Sequence, residues 1–351
     1  MNRDKEVICF FEMPLEWQRQ KYIRKLTKKL EEINREAELL FVDYPLNENT
    51  ASEHYNISIA VIYINSCINS QTLEKLHNLR FLITRTTGID HIDLLACKRR
   101  GVTVANLPYY ASITVAEHTI AFMFALARKM KSALEKTQRF NFSRNGLLGL
   151  DLYGKTIGVI GTGNIGKEIV RMAYGIGMKI LAHDINPSKE LAEKYEVNYV
   201  GLEELLEKSD VIIVMVPYYS KTHHLINKNN IKLIKDTAML INTARGPVVD
   251  TEALIWALEN GKLKGGVALD VFEGEKVLLE RSYLKEEVQL SIEERKALRT
   301  LHLLQYSNVM LTPHVAHYSA EAVERVIDCV VEDIIYFLLY RTSKVTFQVY
   351  F

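Results

Sequence analysis

The feature that most constrains the fold is a glycine-rich turn between an apolar strand and a helix. The sequence GTGNIG at residues 161–166 follows the β-rich run at 156–160 and opens a helix-forming segment. Gly161 permits a tight turn, Gly163 lets a phosphate approach the backbone, and Gly166 lets the helix pack on the strand. The N–H groups at the start of this helix can bind a diphosphate. The pattern therefore predicts a strand–turn–helix unit that binds a dinucleotide.

An acidic residue, Asp184, closes the next predicted strand, about twenty residues beyond the glycines. A carboxylate there accepts hydrogen bonds from both adenosine ribose hydroxyls and repels a 2′-phosphate. No arginine follows it in residues 185–188. The pattern favours NAD over NADP, and the alternative is that Asp184 only caps a turn before Pro187.

Short β-rich runs alternate with helix-like runs along the chain, which predicts parallel sheets covered by helices. Before the glycine turn, strands are predicted at residues 7–11, 39–42, 57–64, 79–84 and 102–105, and helices at 17–33 and 71–76. From the turn onward, strands are predicted at 156–160, 179–182, 211–216, 238–241, 266–269 and 309–311, and helices at 164–174, 202–207 and 251–259. An apolar helix at 112–131 is suited to burial or to a subunit interface, and a terminal helix is predicted at 320–340.

The 351 residues are enough for two domains rather than one. The tripeptide Asn106-Leu107-Pro108 is typical of a loop between elements, so a domain boundary is expected near residue 105. If the terminal helix packs back on the first domain, that domain comprises residues 1–104 and 318–351 and the nucleotide domain residues 105–317. The charged stretch at 276–306 interrupts the strand rhythm and is interpreted as a surface insertion with one helix.

Composition excludes several classes of partner. The 44 basic and 43 acidic residues give a net charge of +1, so no overall field favours nucleic acid or an anionic membrane. The four cysteines are far apart and form no C-x-x-C pair, which argues against a disulfide framework or a structural zinc site. There is no secretory signal pattern, and the most apolar run, residues 120–127, is too short to span a bilayer. A cytoplasmic protein is expected.

Three polar residues downstream follow predicted strands, where ligands of parallel sheets collect. Arg245 follows the strand at 238–241, Glu275 the strand at 266–269, and His314 the strand at 309–311. A guanidinium suits a carboxylate, and an imidazole titrates in the range that acid–base catalysis requires. A carboxylate near His314 would favour the imidazolium. Each residue also has a structural alternative: a surface cation, an acidic loop residue or a core histidine.

Other chemistries lack their motifs. The sequence contains no G-x-S-x-G, H-E-x-x-H or G-x-x-x-x-G-K pattern. His223-His224 has no sequence neighbours at metal-ligand spacing and is interpreted as a loop pair. No metal is expected.

Taken in order, several motifs resemble those of the D-isomer-specific 2-hydroxyacid dehydrogenases, and within them the D-lactate dehydrogenase branch. The matching segments are residues 87–93, 115–119, 161–166, 241–246, 268–275 and 312–314. The resemblance implies an α/β fold of two doubly wound parallel-sheet domains. A Rossmann NAD-binding domain would be inserted into a flavodoxin-like substrate domain, with the active-site cleft between them. It also implies a homodimer.

The resemblance assigns roles to individual residues. His314 would be the proton donor, Glu275 its partner, and Arg245 the group that holds the substrate carboxylate. Asp270 would hold the nicotinamide carboxamide. The implied cofactor-binding residues are Gly161, Gly163, Asn164, Ile165, Gly166, Asp184, Val216, Pro217, Thr222, Thr243, Ala244, Arg245 and Asp270. The implied substrate-binding residues are Thr87, Gly88, Tyr110, Arg245 and His317.

One departure concerns the substrate side chain, because His317 stands where the lactate branch usually has an aromatic residue. The expected reaction is the NADH-dependent reduction of pyruvate, or a related small 2-oxoacid, to the D-2-hydroxyacid. The nearest alternative is a glyoxylate, hydroxypyruvate or phosphoglycerate dehydrogenase. The resemblance disfavours a formate dehydrogenase, because that group has a glutamine at the position that matches Glu275. The alternative from another class is a corepressor-like protein that senses NADH without turnover.

Overall fold

The computed structural model describes residues 5–279 and 291–343 and divides into two compact units. The first unit runs to Tyr110 and resumes at Ser319, and the second is Ala111–Tyr318. The boundary is predicted near residue 105, but residues 106–110 belong to the first unit. The reason is hydrogen bonding, since Leu107 N donates to Thr86 O at 3.0 Å and Asn106 Nδ2 to Thr87 O at 2.6 Å.

The first unit contains a parallel sheet in the order β2-β1-β3-β4-β5. Its strands are β1 (Glu6–Phe10), β2 (Ala37–Phe41), β3 (Ile59–Ile62), β4 (Phe81–Thr84) and β5 (Thr103–Ala105), and its first helices are α1 (Glu16–Glu32), α2 (Ser70–Lys75) and α3 (Leu94–Arg99). This order is the flavodoxin-like form of a doubly wound sheet. Strands β1, β3 and β4 are buried along their whole length, as expected for a parallel sheet covered on both faces.

The second unit contains a seven-stranded sheet in the order β12-β11-β10-β9-β6-β7-β8, with every pair parallel. Helices α4 (Ser112–Ala127) and α5 (Met130–Gln138) precede β6 (Thr156–Ile160), and then come α6 (Asn164–Ile176), β7 (Lys179–His183), α7 (Lys189–Tyr195), β8 (Asn198–Tyr199), α8 (Leu202–Lys208), β9 (Val211–Val214), β10 (Met239–Asn242), α9 (Thr251–Glu259), β11 (Gly266–Leu269), α10 (Glu275–Leu279), α11 (Ile292–Leu303) and β12 (Val309–Leu311). The order reverses between β6 and β9, which is the Rossmann topology with its crevice at that switch point.

The terminal helix, α12 (Ala320–Tyr340), belongs to the first unit and packs against α1. The rings of Phe81 in β4 and Phe337 in α12 stack at a centroid distance of 4.4 Å. Glu324 of α12 also pairs with Lys21 and Lys25 of α1. The two ends of the chain therefore share one hydrophobic core.

Several elements differ from the sequence-based expectation. The predicted helix at 112–131 ends at Ala127, because Lys129 adopts a left-handed backbone (φ 48°) before α5 begins. Helices α3, α5 and α7 are not predicted. The predicted insertion at 276–306 falls partly outside the described residues. One helix is predicted there, whereas its described part contains α11 and most of the short helix α10. No helix within residues 5–279 and 291–343 is long and apolar enough to cross a membrane.

Candidate active site

The glycine turn leaves space for a ligand at the start of α6. Gly161 has a φ of 96°, and a Cβ on Gly166 would lie 2.1 Å from Gly161 O, so both positions require glycine. A Cβ on Gly163 would meet nothing within 4 Å, and no side chain caps α6 at this residue. The N–H groups of the first turn thus face an open site, which fits the diphosphate of a dinucleotide.

Asp184 lies directly after β7 and is held as an anion. Its Oδ2 accepts hydrogen bonds from Thr162 N (2.6 Å) and Thr162 Oγ1 (3.0 Å), and its Oδ1 accepts one from Asn186 N (2.8 Å). Partial burial opposes ionisation, but these hydrogen bonds from Asn186 and Thr162 outweigh it and lower the pKa of Asp184. A fixed carboxylate beside the glycine turn suits ribose hydroxyls and repels a 2′-phosphate.

We expect the pair of substitutions Asp184→Ser and Ile185→Arg to move cofactor preference from NADH toward NADPH. The change removes the anion and places a cation at Ile185, which is 80% exposed. A hydrogen bond to a charged group contributes about 1.5–3 kcal/mol, so the ratio of kcat/KM values should change by about 10–100-fold. Ile185→Arg alone is the control, and an unchanged ratio in the double variant would contradict the assignment.

His314 and Glu275 form a short polar contact in the candidate site. His314 Nδ1 and Glu275 Oε1 are 2.5 Å apart, and about a fifth of each side chain is exposed. The carboxylate holds Nδ1 and so orients the ring, which leaves Nε2 as the nitrogen available for proton transfer. His314 has a φ of 55°, an unusual conformation for a non-glycine residue that occurs often at functional sites.

The loop that carries His314 is held by Asp270, a carboxylate with 1% exposure at the end of β11. Its Oδ1 accepts hydrogen bonds from Thr312 Oγ1 (2.5 Å) and Val315 N (2.9 Å), and its Oδ2 accepts one from Ala316 N (2.9 Å). Its carbonyl oxygen accepts a further bond from His314 N at 2.9 Å. Asp270 therefore shapes the loop that presents the histidine.

Arg245 follows β10 in a segment with little freedom. Asn242 Nδ2 donates to Arg245 O at 2.9 Å, and the Arg245 guanidinium donates to Ala244 O at 2.7 Å. A Cβ on Gly246 would lie 2.3 Å from the carbonyl of Phe272, so this segment lies directly against the one that leads to Glu275. The guanidinium is thus presented from a constrained backbone.

His317 lies beside His314, with ring centroids 5.7 Å apart and nearly perpendicular planes. Burial, together with the nearby His314 and Arg245, lowers the pKa of His317 to about 4 against an opposing effect of Asp270. The imidazole is therefore neutral near pH 7. His317 therefore lies within electrostatic range of both His314 and Arg245.

The other predicted residues lie in ordered loops of their own units. Thr87 Oγ1 donates to Leu107 O at 3.0 Å, and Gly88 O accepts from Thr86 Oγ1 at 2.5 Å. Tyr110 is 7% exposed, and its carbonyl accepts a hydrogen bond from the Arg325 guanidinium at 2.7 Å. In the second unit, Thr222 Oγ1 donates to Pro217 O at 2.7 Å and so closes the loop that follows β9.

The interpretation of His223-His224 as a loop pair is incomplete. His224 Nε2 lies 3.1 Å from Oε1 of the buried Glu273, and the candidate ligand atoms of His224, Asp250 and Glu273 all lie within 4.8 Å of one another. However, Lys296 Nζ lies 3.6 Å from Glu273 Oε1, which disfavours a cation there. No sequence pattern indicates this cluster, because its three residues are far apart in the chain.

Sequence reasoning also assigned no role to His118 of α4. Its Nε2 lies 3.4 Å from Thr312 Oγ1, on the loop that carries His314, and 3.9 Å from Oδ1 of Asp270, which holds that loop. Burial lowers the pKa of His118 against an opposing effect of Asp270. The motif at 115–119 contains this histidine, but only the fold brings it to that loop.

A Rossmann sheet with an open glycine turn, an anchored acid, a paired histidine and a nearby arginine defines an NAD-dependent oxidoreductase. The sequence matches the family "D-isomer specific 2-hydroxyacid dehydrogenase, NAD binding domain" over residues 120–316. The chain belongs to the D-2-hydroxyacid dehydrogenase family, and its cofactor is NAD.

Individual relatives resemble the chain over most of its length. It is 36% identical to the D-lactate dehydrogenase of Escherichia coli over 84% of this chain and 88% of that one. It is 35% identical to an aromatic 2-oxoacid reductase of Clostridium sporogenes over 80% of this chain and 82% of that one. The structure of D-lactate dehydrogenase from Aquifex aeolicus, complexed with NAD and lactic acid, is similar with a TM-score of 0.82 and 34% identity over 95% of both chains.

Proposed function

We propose that this enzyme is a D-lactate dehydrogenase that reduces pyruvate to D-lactate with NADH. The observation that supports the proposal best is the 2.5 Å contact between His314 and Glu275 on a loop held by Asp270. Reduction of a ketone needs a proton donor beside the carbonyl, and a histidine oriented by a carboxylate meets that need. The resemblance to two D-lactate dehydrogenases favours the small substrate.

In this proposal the chain's own residues bind and orient the 2-oxoacid. Arg245 pairs with the substrate carboxylate through its planar fork and polarises the carbonyl oxygen. His314 Nε2 donates a proton to that oxygen, and Glu275 stabilises the imidazolium before the transfer. Thr87, Gly88 and Tyr110 are proposed to contact the substrate as well.

Bound NADH supplies the hydride, so pyruvate, NADH and one proton give D-lactate and NAD⁺. The turn and loop residues proposed to hold the cofactor are Gly161, Gly163, Asn164, Ile165, Gly166, Asp184, Val216, Pro217, Thr222, Thr243, Ala244, Arg245 and Asp270.

Reduction consumes the proton on His314, whereas oxidation needs the neutral ring. The rate of reduction should therefore fall at alkaline pH and that of oxidation at acidic pH.

The proposal is tested by the loss of NADH absorbance with a panel of 2-oxoacids: pyruvate, glyoxylate, hydroxypyruvate, phosphohydroxypyruvate, phenylpyruvate and 2-oxoisocaproate. We expect the highest kcat/KM with pyruvate and a product of D configuration. A higher value with another acid would assign the enzyme to a different member of the family. NADH binding without oxidation by any of them would favour the NADH-sensing alternative.

His317 is proposed to set the preference for the substrate side chain. A neutral imidazole next to His314 offers a hydrogen-bonding group where a phenyl ring would offer only an apolar surface. We expect His317→Phe to raise the kcat/KM ratio of phenylpyruvate to pyruvate by about 10-fold, since an aromatic pair contributes about 0.5–1.5 kcal/mol. His317→Asn, which keeps a polar side chain, is the matched control. Unchanged kcat/KM ratios across the 2-oxoacid panel would contradict this role of His317.

We also propose a homodimer in a reducing compartment such as the cytoplasm. The segment after α4 exposes a group of large apolar side chains that a second copy of the chain could cover. They are Met130 (45% exposed), Leu134 (56%), Phe140 (89%), Phe142 (78%), Leu148 (88%) and Tyr153 (80%). The four cysteines are free thiols, which suits a reducing environment. Light scattering of the purified protein tests the dimer.

A further inference from the structure

The segment that leads to Glu275 contains a second acid, Glu273, which is 4% exposed. Its Oε1 contacts His224 Nε2 (3.1 Å) and Lys296 Nζ (3.6 Å), and its Oε2 accepts a hydrogen bond from Thr251 N (3.1 Å). Burial opposes ionisation of this group, but the hydrogen bonds from His224 and Thr251 outweigh it and lower the pKa of Glu273. One buried carboxylate thus joins the loop after β9, the start of α9 and helix α11.

The backbone of the same segment is held from two sides. On one side it meets Gly246, at which a Cβ would lie 2.3 Å from the Phe272 carbonyl. On the other side it meets α11, because a Cβ on Gly274 would lie 2.4 Å from Ala297 N. Thr300 Oγ1 of α11 also donates to Glu273 O at 2.9 Å. Gly274 takes a φ of 74°, and α10 then begins at Glu275.

We propose that Glu273 is a positioning residue that, together with α11, fixes the turn from which Glu275 reaches His314. The side chain of Glu273 does not act on substrate; it determines where the carboxylate two residues later lies. A 2.5 Å contact changes steeply with a displacement of a few tenths of an ångström, so a loosened turn would weaken it. The stretch predicted only as a surface insertion thereby acquires a role in the active site.

The test compares variants that change the turn with and without changing charge. Glu273→Gln removes the anion, Thr300→Val removes only the hydroxyl that bonds Glu273 O, and Thr300→Ser restores it. Glu252→Gln is the matched control, because Glu252 also links α9 to α11, through Arg299 at 2.7 Å, but at the surface, where 40% of its side chain is exposed. NADH affinity, measured by fluorescence, and thermal unfolding are recorded for each variant.

We expect Glu273→Gln to lower kcat by about 10-fold and Thr300→Val by about 3-fold, with NADH affinity retained and Thr300→Ser close to the parent. In a Glu275→Gln background the same changes should cost less than about 2-fold, because residues that act through one group are not additive. Equal effects in both backgrounds, or an equal loss in Glu252→Gln, would overturn the proposal.

A second arm needs no turnover and separates this inference from the proposed function on which it rests. The ring proton of His314 is followed by NMR against pH in the free protein and assigned by its absence in His314→Gln. Glu275 and His317 contact this ring, Asp270 accepts from its backbone N–H, and Arg245 lies near His317. The His314 ring signal should change in both Glu273→Gln and Thr300→Val as the contact with Glu275 weakens; because Thr300→Val changes no charge, an unchanged signal there would overturn the proposal.

Discussion

Replacing His314 with glutamine is expected to lower kcat for 2-oxoacid reduction by about 10²–10⁴-fold, the usual contribution of a general acid. This corresponds to about 3–5 kcal/mol of transition-state stabilisation. Glutamine can still donate a hydrogen bond to the carbonyl oxygen, but it cannot release a proton. The left-handed backbone of residue 314 is shaped by Asp270 rather than by the imidazole, so the loop should persist.

The measurement is single-turnover reduction of pyruvate, with NADH affinity determined separately by fluorescence. We expect the affinity to change by less than about 3-fold, because the substitution preserves the glycine turn and Asp184. The matched control is Glu275→Gln, which leaves the proton donor but removes its charged partner, and its loss should be smaller. A kcat in His314→Gln within a factor of two of the parent would exclude this residue as the proton donor.

The second large effect is expected at Arg245, where substitution by methionine should lower kcat/KM for pyruvate by roughly 30–5,000-fold. Loss of one partner from a hydrogen-bonded charge pair costs about 2–5 kcal/mol. Because the guanidinium is proposed to hold the carboxylate and to polarise the carbonyl, KM should rise and kcat should fall together. Methionine keeps a flexible apolar stem similar to that of arginine but carries no charge.

Arg245→Lys is the control for this experiment. It restores the charge but not the planar fork, so it should recover only part of the loss. A lysine variant as active as the parent would show that charge alone is required. A methionine variant with unchanged KM would contradict carboxylate binding by Arg245.

Much of the fold was predictable from local patterns. Strands β6, β11 and β12 have the predicted bounds, as does helix α9, because each is a buried apolar run or a periodic segment with clear stop signals. Helices α3 and α7 were missed because they span less than two turns, and α5 because it has no buried residue that would mark a core-facing side. The break after Ala127 could not be predicted either, since nothing in the apolar sequence signals a left-handed lysine.

The sequence by itself determined the parts of the protein whose chemistry depends on neighbours in the chain. The glycine turn, the acid Asp184 after the next strand and the placement of Arg245 and His314 at strand ends all follow from local spacing. These patterns were enough for a dinucleotide-binding fold and for a set of candidate catalytic side chains.

Only the tertiary structure decided how those side chains meet. His314 and Glu275 are 39 residues apart in the chain, and His224 and Glu273 are 49 apart, so neither contact has a periodic signal. The neutral state of His317 likewise depends on its burial beside two other basic groups. Such contacts are made when parallel strands bring their carboxyl ends to one edge of a sheet, and the loops between them determine which atoms come within hydrogen-bonding distance.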